Sequence, residues 1–108
     1  MKPSILYKTH ENDDCDTLQS IVRYMYAIKI GDIRPLSIIE RNMPLNIKVL
    51  PTIVFYNGYT IEGLNNIVKY YEMSTNTLNL IDKANKFMEL NPNYRITNNS
   101  THKQIIYT

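Results

Sequence analysis

A single cysteine, Cys15, in 108 residues excludes a disulfide-stapled domain and any chemistry that closes an intramolecular dithiol–disulfide pair. A reducing compartment is the expected setting. No run approaches the roughly 18 consecutive apolar residues that span a bilayer, and Met1-Lys2-Pro3-Ser4 leads straight into a strand-like run without a secretory signal. No membrane insertion is expected, and the expected location is cytoplasmic. Charge of one sign is also missing: 12 basic residues face 10 acidic ones, the net charge is +2, and the basic residues are scattered. No patch exists to track a phosphate backbone, so nucleic acid is not an expected partner. Tryptophan is absent, glycine occurs three times, and Ile, Asn, Lys and Tyr are heavily used. That bias fits an AT-rich genome such as those of some large DNA viruses or certain protists, and for a viral source the expected location is the virion. The overlapping sequons in Asn98-Asn99-Ser100-Thr101 read as coincidence in an Asn-rich chain without a secretory signal.

Hydrophobic residues make up 44% of the chain, enough for one packed core at a length that suits a single domain. Ser4-Ile5-Leu6-Tyr7-Lys8-Thr9 reads as a first strand. The polar cluster from His10 to Asp14 follows, then a helix from about Asp14 to Tyr26 with Leu18, Ile21, Val22 and Met25 as its apolar stripe. Ile28, Ile30 and Ile33 alternate with polar residues and predict a short second strand. Asp32 and Pro35 suit the start of a second helix with Leu36, Ile39 and Met43 as its buried face, ended by Pro44. Val49 to Tyr56 is β-branched and aromatic, and Asn57-Gly58 is a strong hairpin signal leading into Tyr59-Thr60-Ile61. Helical periodicity returns over Leu64–Tyr71 and Thr77–Leu90, with Ser74-Thr75-Asn76 as the break. Strands separated by helices pair in parallel and a hairpin is antiparallel, so the expected fold is α/β with a mixed sheet and helices on its faces. Residues 91–108 are polar apart from the β-like fragment Gln104-Ile105-Ile106-Tyr107.

This order, together with the stretch from Val49 through Pro51 and Asn57-Gly58 to Ile61-Glu62-Gly63, resembles the thioredoxin superfamily and most closely the glutaredoxins. The resemblance covers residues 4–90. It implies a thioredoxin-like, glutaredoxin-type domain over 1–90 with a mixed four-stranded sheet, followed by a C-terminal extension over 91–108. In that family a hydrophobic residue and a cis-proline precede the third strand and a Gly-Gly pair opens the next helix. Pro51 matches the cis-proline and Gly63 the second glycine. Aligning Ile5-Leu6-Tyr7 with the family's first strand puts Asn12-Asp13-Asp14-Cys15 where the C-x-x-C site falls. Cys15 takes the second cysteine position, with Pro51 36 positions further on, and the nucleophile's position holds Asn12.

That departure changes the expected chemistry. The family's first cysteine is a thiolate at a helix N-terminus, where the macrodipole lowers its pKa. Asn12 has no thiol, and Asp13 and Asp14 add negative charge that disfavours a thiolate nearby. The degenerate redox site Asn12, Asp13, Asp14 and Cys15 is therefore expected to have no catalytic residue, and Cys15 is expected to be a small buried residue of the first helical turn. Glutathione recognition is also not expected, because Glu62 replaces the first glycine and Asn65 an acidic residue, while Lys8 falls one position from the family's carboxylate-binding lysine. No cofactor and no metal site are expected; His10 and His102 are single loop and tail histidines. The leading expectation is a non-catalytic interaction or structural protein that binds a protein partner, with assembly in a large DNA virus particle as one setting. The alternative is a monothiol oxidoreductase acting through Cys15, with or without glutathione. Residues Ile105, Ile106 and Tyr107 are the partner-binding candidates, because a β-prone apolar cluster outside the core either covers an edge of its own sheet or docks on a partner.

Overall fold

The structure is a computed structural model and describes residues 4–9, 11–31 and 36–94. Asp32–Pro35 and the tail cluster Ile105-Ile106-Tyr107, together with His10 and His102, lie outside these residues. In chain order the elements are β1 (Ser4–Tyr7), α1 (Asp13–Ile28), β2 (Leu36–Ile39), β3 (Thr52–Val54), β4 (Thr60–Glu62), α2 (Leu64–Thr75) and α3 (Leu80–Leu90).

The strands form one mixed four-stranded sheet in the order β2-β1-β3-β4. Strand β1 is central, parallel to β2 with Leu6 beside Ile38, and antiparallel to β3 with Leu6 beside Ile53. Strand β3 continues antiparallel to β4 with Ile53 beside Ile61. Successive side chains of a strand point to opposite faces, so Leu6, Ile38, Ile53 and Ile61 form one row across one face of the sheet. That face carries the core. Leu6, Leu36, Ile53, Phe55 and Ile61 pack with Leu18, Ile21, Val22 and Met25 of α1, with Leu64, Ile67, Val68 and Tyr71 of α2, and with Leu80 and Ala84 of α3. Side chains from all three helices thus meet one alternation phase of the strands, and α3 lies chiefly on α1. An edge-to-face contact of Tyr24 with Phe87, ring centroids 5.8 Å apart, continues to Tyr94 at 5.3 Å and ties the chain beyond α3 back to α1.

The hairpin turn follows its sequence signal. Gly58 has φ +90° and donates its N–H to Phe55 O at 2.8 Å, while Phe55 N–H donates to Tyr59 O at 2.8 Å. The Leu50–Pro51 peptide bond is cis. Helix α2 ends at Asn76 in the left-handed region, within the expected break. Helix α3 starts later than its periodicity suggests, at Leu80, because its first N–H is met by Glu72 Oε2 at 3.1 Å, a cap supplied from α2.

Two expectations fail between residues 28 and 44. The stripe of α1 continues through Met25, so residues up to Ile28 stay helical, and Lys29 closes the helix in the left-handed region with its N–H on Met25 O. The second strand is therefore Leu36–Ile39 and not Ile28–Ile33. The stretch expected as the start of a helix is that strand, held by four registered partners on β1; Leu36 and Ile39 sit on opposite faces of the sheet and not on one helical face. From residue 40 to residue 51 the described chain contains no helix. Thr52, fully buried, donates its hydroxyl to Val49 O at 2.6 Å and joins that irregular segment to the start of β3.

Candidate functional site at the start of the first helix

The chain leaves β1 through Lys8 and Thr9 and must turn into α1, whose first N–H groups lack intrahelical partners. Asn12 supplies one. Its backbone is extended, with φ −128° and ψ 120°, and its Oδ1 accepts from Asp14 N–H at 2.8 Å and from Cys15 N–H at 3.2 Å. The other end of the same amide donates from Nδ2 to Leu50 O at 3.3 Å. One side chain thus caps α1 and fastens it to the residue before Pro51. The structure joins Asn12 to Cys15 and to Leu50, the residue before Pro51, and gives Asn12 a bridging role that sequence reading missed. The signal was present in part: Asn is among the strongest N-caps, whereas the contact to Leu50 spans 38 positions and has no local signature.

Asp13, Asp14 and Asp16 occupy the first turn of α1, where carboxylates favour the positive end of the helix dipole. Asp13 and Asp14 are exposed. Cys15 faces inward and is 1% exposed, a free thiol at the edge of the core. Burial pushes its pKa above the ordinary thiol value, and the charges of Asp16 and Asp14 push the same way. A backbone hydrogen bond with Thr9 and the Lys8 ammonium work against that shift without reversing it. The neutral thiol is the favoured form.

Lys8 is 3% exposed, and its Nζ lies 3.8 Å from Glu40 Oε1. Its ammonium is committed to the interior and to Glu40. Glu62 and Asn65 are exposed, and Gly63, with φ +85°, donates its N–H to Pro51 O at 2.8 Å, fixing the start of α2 to the same loop. Among the described residues no group of three or more His, Cys, Asp or Glu side chains is placed to hold a metal ion, and no described helix is long and apolar enough to cross a membrane. The site is thus a junction of three segments, the start of α1, the Leu50–Pro51 loop and the start of α2, closed by hydrogen bonds among its own members. No protein-family model, curated protein or solved structure matches this chain.

Proposed function

We propose that the chain is a non-catalytic interaction or structural protein, built on a thioredoxin-like domain of the glutaredoxin type whose redox position serves as a helix cap. The strand order, the parallel β1–β2 pair, the antiparallel hairpin and the proline ahead of β3 all accord with that type. The main departure is the stretch 36–43, expected in a second helix ended by Pro44, which is strand β2 followed by irregular chain. The observation that carries the proposal is the Asn12 side chain, which fills the nucleophile's position and uses both ends of its amide in structural hydrogen bonds. A thiol one turn further on, buried and held neutral, does not replace the missing nucleophile.

The test is turnover of a glutathione mixed-disulfide substrate by the purified chain and by Cys15→Ser. No turnover above the uncatalysed rate is expected for either. Turnover by the native chain that disappears in Cys15→Ser would establish the monothiol oxidoreductase reading instead.

A further inference from the structure

The chain has one Asn–Gly pair, Asn57-Gly58, at the tip of the β3–β4 hairpin, and both residues are exposed. Every other asparagine of the described residues is followed by a residue that carries a side chain. The Asn57 Oδ1 accepts from Tyr59 N–H at 3.0 Å, so the carboxamide folds back over its own turn and its carbonyl is polarised by a donor. A Cβ built at Gly58 would meet nothing within 4 Å, so the Gly58 nitrogen borders open space beside the Asn57 Cγ. A nucleophile and an electrophile held close in one chain react as an intramolecular pair. One hydrogen bond stands against that reaction: Gly58 N–H donates to Phe55 O at 2.8 Å, which engages the nitrogen's proton and fixes the peptide plane within the turn.

We propose that Asn57 is a modification site, at which the carboxamide is lost through a succinimide, and that the hairpin times the reaction. The Gly58 nitrogen gives up its proton to a solvent base and attacks Asn57 Cγ. The Cγ–Nδ2 bond breaks, ammonia leaves with a proton from solvent, and the succinimide ring closes. Water then opens the ring, so the net change is amide plus water to carboxylate plus ammonium, with nothing oxidised or reduced. Opening at Cγ gives aspartate, and opening at the main-chain carbonyl gives isoaspartate, which lengthens the turn by one backbone carbon. The attack requires the Gly58 N–H to leave Phe55 O, so the rate follows opening of the hairpin and not of the whole fold. Strand β4 has three residues and lies at the end of the sheet. Its approach is steadied by the stack of the exposed Tyr59 ring on the buried Phe55 ring, centroids 6.0 Å apart. Both products place a carboxylate at the tip, and the isoaspartyl form changes the spacing that closes Phe55 on Tyr59. The proposal is independent of the functional reading above.

Peptide mapping by mass spectrometry tests it, on the full chain held at neutral pH, native and in guanidinium, following conversion of the Asn57 amide to a carboxyl. In the native chain Asn57 should be converted ahead of every other asparagine of the described residues. Denaturant should speed the conversion by at least about tenfold, because it frees the Gly58 N–H. Tyr59→Ala, which removes the ring stack at an exposed position, should give a native rate between those two. In denaturant, Gly58→Ala should slow the conversion by at least about tenfold, because its methyl group crowds the ring closure that glycine permits. Equal rates in the native and denatured chain, or a Tyr59→Ala rate no higher than the native one, would overturn the timing by the hairpin. Absence of conversion at Asn57 in the native chain, earlier conversion of another described asparagine, or an unchanged rate in denatured Gly58→Ala would overturn the site itself.

Discussion

At the residue scale the start of α1 is held by Asn12 and Cys15, and substitution can separate the two ends of the Asn12 amide. Asn12→Ala removes the cap and the bond to Leu50 together, and should cost about 1–2 kcal/mol of stability, read as a lowered midpoint of chemical denaturation. Asn12→Asp keeps an acceptor for Asp14 N–H and Cys15 N–H but loses the donor to Leu50 O, and should cost less than alanine. Equal losses would mean that the cap contributes nothing.

Burial of Cys15 sets the sign of a pH dependence. Its folded-state pKa is raised above the ordinary thiol value of 9.0, first by burial and then by Asp16 and Asp14. The unfolded chain thus releases the thiol proton at lower pH than the folded chain. The contribution of the neutral thiol is complete below about pH 9 and is lost as pH rises through the folded value. Relative to Cys15→Ala, the native chain should lose stability as the pH rises above the ordinary thiol value of 9.0, measured by parallel denaturant titrations. A gap that stays constant or widens would contradict the burial of this thiol. That Cys15 is buried was legible because an unpaired cysteine is among the most buried residue types. That Asn12 reaches Leu50 was not, because long-range side-chain contacts leave no periodicity.

At the scale of elements, the joint after α1 is the most constrained position among the glycines. Gly31 has φ +70°, and a Cβ placed there would collide with Thr75 Cγ2 and with Met25 Cε, at 2.7 Å from the latter. Both the left-handed backbone and the close approach of α2 act against a side chain. Gly31→Ala should therefore destabilise the chain by about 1–3 kcal/mol, seen in a thermal scan, whereas Gly58→Ala, with open space around its Cβ, has only the backbone penalty and should cost less. This joint is also where sequence reading fails. Ile28 and Ile30 alternate like a strand, but the stripe of α1 carries helix through Ile28, and local pattern cannot weigh a continuing helix against a short strand. Leu36, Ile39 and Met43 have helical spacing, yet a run of this length is ambiguous by periodicity, and parallel pairing with β1, distant in sequence, decides it. By contrast, the hairpin, α1 and α2 were legible because Asn57-Gly58 and the apolar stripes are local signals that agree with the tertiary packing.

At the scale of the molecule, one alternation phase of the sheet and the inner faces of three helices make a single core, and Cys15 sits at its edge beneath the Asn12 cap. The sheet's mixed character followed from the order of strands and helices in the sequence, while the placement of all three helices against one face did not, since the order of elements alone does not say which face each helix covers. The proposed function requires Cys15 to be a packing residue and not a nucleophile. The most direct measurement is the rate at which a small aromatic disulfide reagent modifies Cys15 in the folded chain at neutral pH, set against the same chain unfolded in denaturant. Modification should be slowed by at least about a hundredfold in the folded chain, with a rate that follows the opening of the fold as denaturant is added. Modification of the folded chain as fast as that of the unfolded chain, with a pH midpoint below the ordinary thiol value, would contradict it.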